Sequence, residues 1–188
     1  MITAYIDFKS LDCFLAISSI LELADDCETP LSWQPYRCKE RALPTQVANE
    51  SVTQTHHRVR AASERRLQLH YARLRGLDID HCRGQIDTSA ALGWLASLEG
   101  DTSSFVSRLF TAHWIDRTDI NDPTFLQELT TQCGLRWTGD AVDLRSIERK
   151  AEEKGLFDAP TFFIEGQMFT GRAHIPLMRQ LLADGGDR

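Results

Sequence analysis

Ser10 and Cys13 lie three residues apart in Asp7-Phe8-Lys9-Ser10-Leu11-Asp12-Cys13-Phe14-Leu15-Ala16, where an apolar run gives way to helical periodicity. A hydroxyl and a thiol in the first turn of a helix can do a specific kind of chemistry. The leading backbone N–H groups lack internal partners and the helix dipole is positive there, so this turn can hold an anion such as a thiolate. The elements that must position the pair are legible on either side. Residues 1–6 can form a strand, Ser10 is a good N-cap, and Phe14, Leu15, Ile17, Ile20, Leu21 and Leu23 supply an apolar helical face.

The composition narrows the function classes. A chain of 188 residues with 42% hydrophobic content suits one globular domain or a domain with an insertion. Its net charge of −6 comes from 21 basic and 27 acidic residues mixed along the chain, so the basic footprint of a nucleic-acid binder is absent. No run approaches the roughly 18 apolar residues of a membrane helix, and the N-terminus lacks a basic region followed by a long apolar stretch. The reading predicts a soluble, unexported, cytoplasmic protein with no nucleic-acid or membrane partner. Five cysteines, Cys13, Cys27, Cys38, Cys82 and Cys133, fall at irregular spacings, which suits free thiols in a reducing compartment. None forms a C-x-x-C pair, and His56-His57 and His81-Cys82 read as solvated or packed residues, with no metal site.

Further along, Leu31-Ser32-Trp33-Gln34-Pro35 alternates like a short strand, reached from the first by a helical crossover and therefore parallel to it. Residues 36–50 lose periodicity and read as a loop able to cover the site. Residues 51–75 turn helical and basic, with Arg58, Arg60, Arg65, Arg66, Arg73 and Arg75. A solvated face is the favoured reading there over a ligand role for any one arginine. Residues 87–98, 103–116 and 141–154 have helical patterns. Asp122-Pro123 supplies an N-cap and a first-turn proline for one more. No strand signal in this middle block is strong enough to insert a sheet. Thr161-Phe162-Phe163-Ile164-Glu165 then reads as a strand, Gly166-Gln167 as a two-residue turn and Met168-Phe169-Thr170 as the returning strand. A helix over 175–182 and a frayed tail over 183–188 close the chain. Without its helical block this is the order of a thioredoxin-type α/β unit. The expected domains are 1–45 with 156–188, thioredoxin-like, and 46–155, an all-helical insertion.

Three segments resemble one family. Residues 7–16 resemble the nucleophile turn of DsbA-like proteins, in particular kappa-class glutathione transferases and 2-hydroxychromene-2-carboxylate isomerases, where serine followed by proline opens the first helix. Gly155-Leu156-Phe157-Asp158-Ala159-Pro160-Thr161-Phe162-Phe163-Ile164-Glu165-Gly166-Gln167-Met168-Phe169 resembles their G-V-F-G-V-P-T-F-x-x-x-G-x-x-F segment, whose proline is the cis-proline of thioredoxin folds. Trp114-Ile115-Asp116-Arg117-Thr118-Asp119-Ile120-Asn121-Asp122-Pro123 looks like the turn of the family's helical domain. The sequence departs from the pattern at Leu11 in place of the proline after the serine, and at Asp12, whose charge opposes a neighbouring thiolate. It departs again at Ala173, where the family's G-x-[DE]-[RH] turn carries a carboxylate facing glutathione's amino group.

The resemblance implies a glutathione-dependent isomerase or transferase acting on a small, aromatic-derived electrophile, as a homodimer. Ser10 and Cys13 are then the candidate catalytic residues. Ser10 donates a hydrogen bond that favours the glutathione thiolate. Cys13 occupies the position of the second cysteine of DsbA-like oxidoreductases. A packed thiol is favoured there over a redox centre. Ser10, Ala159, Pro160, Gly171, Arg172 and His174 are the candidate glutathione-binding residues, with the Ala159 backbone pairing in strand fashion. Two alternatives stay open: a thiol-disulfide oxidoreductase using Cys13, and a non-catalytic thioredoxin-fold binding protein.

Overall fold

The structure is a computed structural model that describes residues 1–38, 49–79, 86–140 and 142–185. Most of the expected covering loop and the His81-Cys82 pair lie outside the described residues, as do residues 186–188 of the expected tail.

The chain opens with β1 (Ile2–Ile6), crosses through α1 (Leu11–Asp26) and returns as β2 (Leu31–Pro35), parallel to β1 with Ile2 opposite Leu31. Then come α2 (Val52–Leu74), α3 (Ser89–Ala96), β3 (Leu98–Glu99), α4 (Ser103–Trp114), α5 (Pro123–Gln132), β4 (Arg136–Trp137) and α6 (Leu144–Glu152). The chain re-enters the main sheet as β5 (Thr161–Ile164) and β6 (Gln167–Thr170), and closes with a 3-10 turn (Arg172–His174) and α7 (Ile175–Gly185). The sheet order is β2-β1-β5-β6, with β5 antiparallel to β1 and β6 antiparallel to β5. This is a DsbA-like thioredoxin fold. β1 is central, which is why Ile2, Ala4 and Ile6 are all enclosed and the strand reads as nearly continuous apolar sequence.

The middle block is helical, with one correction. β3 and β4 form a two-stranded antiparallel pair, buttressed by Trp94 and Trp137 stacked at 4.3 Å between ring centroids. Strands of two residues carry no alternation to read, so only the tertiary pairing reveals them. The hairpin turn also moves by one residue. Glu165 and Gly166, at φ 50° and 81°, form it, because a two-residue hairpin of this hand needs positive φ at both positions. Gln167 therefore belongs to β6. The last helix runs to Gly185, past its expected end at 182 and through the start of the expected frayed tail.

Aromatic packing ties the block to the start of α1. Phe14 stacks on Phe110 and Trp114, with centroids at 6.1 and 6.3 Å, and the buried Trp114 Nε1–H donates to the Phe8 carbonyl at 3.0 Å. From the C-terminal cap of α2, the Arg75 guanidinium donates to the Leu15 carbonyl at 2.7 Å. Arg58 pairs with Glu50 and Arg60 with Glu64, so the basic face of α2 is partly neutralised by the protein itself. At the other edge the Arg37 guanidinium forks onto Glu148 of α6 at 2.6 and 2.7 Å.

Candidate active site

The turn between β1 and α1 closes without the proline of the family pattern. The Ser10 N–H donates to the Asp7 carbonyl at 3.0 Å, Ser10 is extended at φ −82° and ψ 115°, and its Oγ accepts from the Cys13 N–H at 3.2 Å. Leu11, buried as the first helical residue, starts α1 where proline would have. The hydroxyl hydrogen of Ser10 points to the Ala159 carbonyl at 3.4 Å, a long bond and hence a weak one. A hydroxyl has one hydrogen to give, and here it can be turned to a better acceptor at little cost.

Ala159 precedes a cis peptide bond to Pro160, which leads into β5. Its backbone groups, expected to be open to a ligand, both have internal partners. The N–H donates to its neighbour Asp158 at 3.0 Å, and the carbonyl accepts from Ser10 and from the Cys38 thiol at 3.9 Å. Ala159 is 7% exposed. A strand-like ligand at this edge therefore has to exchange with these bonds.

Cys13 is fully enclosed, and burial pushes its thiol pKa well up, with the neighbouring Cys38 adding to the rise. Beneath the turn lies Asp7, also fully enclosed. Its carboxylate accepts from the Thr88 hydroxyl, from the Cys38 N–H at 2.7 Å and from the Lys9 N–H at 3.3 Å, with the Lys9 ammonium at 3.9 Å. Burial raises the Asp7 pKa and these donors pull against the rise.

The remaining predicted residues divide. Gly171 is tied to the same corner by its N–H, which donates to the Pro160 carbonyl at 2.8 Å. Its φ of 81° is one that only glycine adopts readily. Arg172 turns away from this corner into a cavity of about 550 Å³, lined by Asp12, Gln68, Tyr71, Arg75, Arg172 and Ala173 among others. Its guanidinium lies 3.7 Å from the Tyr71 ring centroid, and no hydrogen bond to a described residue uses its nitrogens. Asp12 in the same cavity accepts from Gln68 Nε2 at 2.7 Å. Burial raises the Asp12 pKa, and both the Gln68 bond and the Arg172 charge lower it. His174 is exposed, packs beside Phe169 and does not line this cavity.

The sequence matches the description "DSBA-like thioredoxin domain" over residues 1–183. The chain belongs to the DSBA-like thioredoxin family. Among solved structures, a 2-hydroxychromene-2-carboxylate isomerase superposes with a TM-score of 0.65 at 14% identity, over 97% of this chain and 94% of that one. The cytosolic disulfide reductase DsbM from Pseudomonas aeruginosa, solved with GSH, superposes with a TM-score of 0.59 at 17% identity, over 100% and 99%. A putative protein disulfide isomerase from Nitrosomonas europaea gives 0.58 at 15%, over 97% and 95%. At these identities the likeness is one of fold. Sequence comparison with curated proteins gives no match. Among the described residues no helix is long and apolar enough to cross a membrane.

Within this DSBA-like frame, residues that sequence reasoning missed stand at the site. Asp7 had a signal, a carboxylate directly following a nearly continuous apolar strand. Cys38, three residues beyond the end of β2, had none, because only the parallel pairing of β2 on β1 carries it to Ala159. Gln68, Tyr71 and Arg75 are hidden in the basic run of α2, whose periodicity does not show which side meets α1.

Proposed function

We propose that this DSBA-like protein is a glutathione-dependent isomerase or transferase acting on a small, aromatic-derived electrophile. The observation that carries the reading is the Ser10 hydroxyl, held at the α1 N-terminus and bonded only weakly to the carbonyl that precedes cis-Pro160. Glutathione, when bound, supplies a sulfur nucleophile able to add reversibly to an unsaturated electrophile. Ser10 would turn its hydrogen from Ala159 to the incoming sulfur, and the positive end of the α1 dipole favours a negative charge at that point. Ser10 itself forms no covalent bond.

The charged cavity supports the same ligand. Asp12 presents a carboxylate, and Arg172 and Arg75 present cations, close enough that Asp12 and Arg75 act in opposite senses on Arg172. A carboxylate and guanidinium groups together suit an amino acid end that carries both an ammonium and a carboxylate. Ala173 offers no side-chain charge, yet Asp12 lines the same cavity and can serve the ammonium in its place. The DsbM structure solved with GSH and the fold of the isomerase support a glutathione ligand.

Calorimetric titration with reduced glutathione, followed by ultraviolet absorbance of the complex, tests this. Binding with a thiolate band near neutral pH is expected in the natural protein, with the band lost in Ser10→Ala. No binding, or an equal band in both proteins, sinks the reading.

A further inference from the structure

α2 presents two faces. Ala61, Arg65, Gln68 and Ala72 turn toward the body of the protein, half-buried or buried. Directly opposite runs a stripe that the fold leaves in water. Val52, Val59, Leu67 and Leu74 are each at least 50% exposed there, with His56, Ser63 and His70, also exposed, in the gaps. Neighbours in the stripe are three or four residues apart, so they share one side of the helix from its first residue to its last. Apolar side chains repeated along 23 residues of solvent-facing helix call for a cover.

The order of the stripe says what the cover is. Counted outward from Ser63, each position has its like at the same distance on the other side: Val59 and Leu67 at four residues, His56 and His70 at seven, Val52 and Leu74 at eleven. A stripe that reads alike in both directions matches itself when one copy is reversed, as a two-fold axis requires. Antiparallel, apolar side chains meet apolar ones and histidine meets histidine. Ser63 meets its own copy, and its small side chain lets the helices approach to about 8–10 Å. On one flank of the stripe Arg60 and Glu64 form an exposed ion pair at 2.8 Å, and in the same register this pair lies beside its own reversed copy. Each arginine thereby gains a second carboxylate, and the opposed helix dipoles also attract.

We infer that this face is covered by a second copy of the chain, α2 lying antiparallel on α2 of the partner subunit with Ser63 at the two-fold axis. The family resemblance implies a homodimer but no surface for it, and the stripe supplies both surface and register. Glu64 and Leu67, at the edge of the stripe, also line the charged cavity. The pairing brings the partner's Arg60 beside them, so the second copy walls that rim and adds a cation to it. Two helices of this length laid together bury roughly 1,000 Å² in all, near the lower limit for a specific interface. The like charges of Arg66 and Arg73 on the other flank oppose the contact, so association belongs in the micromolar range. The contact is made by α2 alone and stands whatever ligand the cavity takes.

The test is sedimentation velocity over a concentration series, with added cysteines read for cross-linking under mild oxidation against the natural chain. The natural chain should pass from monomer to dimer in the micromolar range. Val59→Lys puts a cation in the stripe, enters the interface twice and lies outside the cavity, and it should raise the dissociation constant on the order of 100-fold. Its circular dichroism should be unchanged, because Val59 is exposed in the monomer. Ser63→Cys should cross-link to itself across the axis, whereas Val52→Cys should not, its two copies lying about 33 Å apart. A natural chain that stays monomeric up to millimolar concentration, a dimer indifferent to Val59→Lys, or cross-linking of Val52→Cys in place of Ser63→Cys overturns the inference.

Discussion

One turn of α1 presents two different environments. Ser10 and Cys13, three residues apart, lie on the same side of the helix and face a closed corner made by Ala159, Cys38 and the buried Asp7. Asp12, between them in sequence, lies on another side and faces the cavity shared with α2 and the Arg172 turn. The closed corner suits chemistry, because a hydroxyl or a thiol there meets little competing water. The open cavity suits recognition, because its charges can be met by a hydrated ligand without a large desolvation penalty. The separation also resolves the unease that Asp12 raises in the sequence. Its charge is directed to Gln68 and Arg172, so its opposition to a thiolate over Ser10 is blunted.

The most disruptive way to break this division is to remove what holds the turn in place. Trp114→Ala deletes the buried stack on Phe14 and the bond to the Phe8 carbonyl, and should cost about 3–5 kcal/mol in urea unfolding. A loss under about 1 kcal/mol would show that the helical block does not brace the turn.

Ser10→Ala acts on the closed side alone. Turnover with glutathione should fall on the order of 100-fold, the usual effect of losing one preorganised donor, with little change in glutathione affinity. Steady-state kinetics beside calorimetry would read the split, and an equal fall in affinity would argue that the two environments are not separate.

Asp7→Asn probes the support beneath the corner. An amide offers one acceptor where the carboxylate offers two, leaving a buried donor from Cys38 or Thr88 unmatched and costing about 1–3 kcal/mol. The pH dependence carries a definite sign. The folded pKa of Asp7 lies above the ordinary value of 3.8, so between the two the folded state keeps a proton that the unfolded state has lost. Stability contributed by this group is therefore full below 3.8, declines as pH rises through the window and levels off above it. The variant lacks that decline, so its deficit against the natural protein should narrow with rising pH in parallel urea titrations.

The smallest effect belongs to the open side. Arg172→Ala should weaken glutathione binding about tenfold, roughly 1.4 kcal/mol, while turnover at saturation is kept. A collapse of turnover with unchanged affinity would place Arg172 in the chemistry instead.

Much of this protein is determined by local sequence. The apolar run of β1, the Ser10 cap, the Asp122-Pro123 start of α5 and the segment leading to Pro160 each act through their nearest neighbours, and each element stands within a residue or two of its expected place. β3 and β4 escaped because two residues are too few to carry a period, and the hairpin turn slipped because alternation does not say which two residues reverse the chain. The membership of the site was decided by tertiary structure. Parallel pairing of β2 brings Cys38 to Ala159, the packing of α2 on α1 turns Gln68, Tyr71 and Arg75 toward Asp12, and the sheet encloses Asp7. Nothing in a residue's type or spacing encodes which distant side chain it will meet, since that depends on how whole elements bury their apolar faces together.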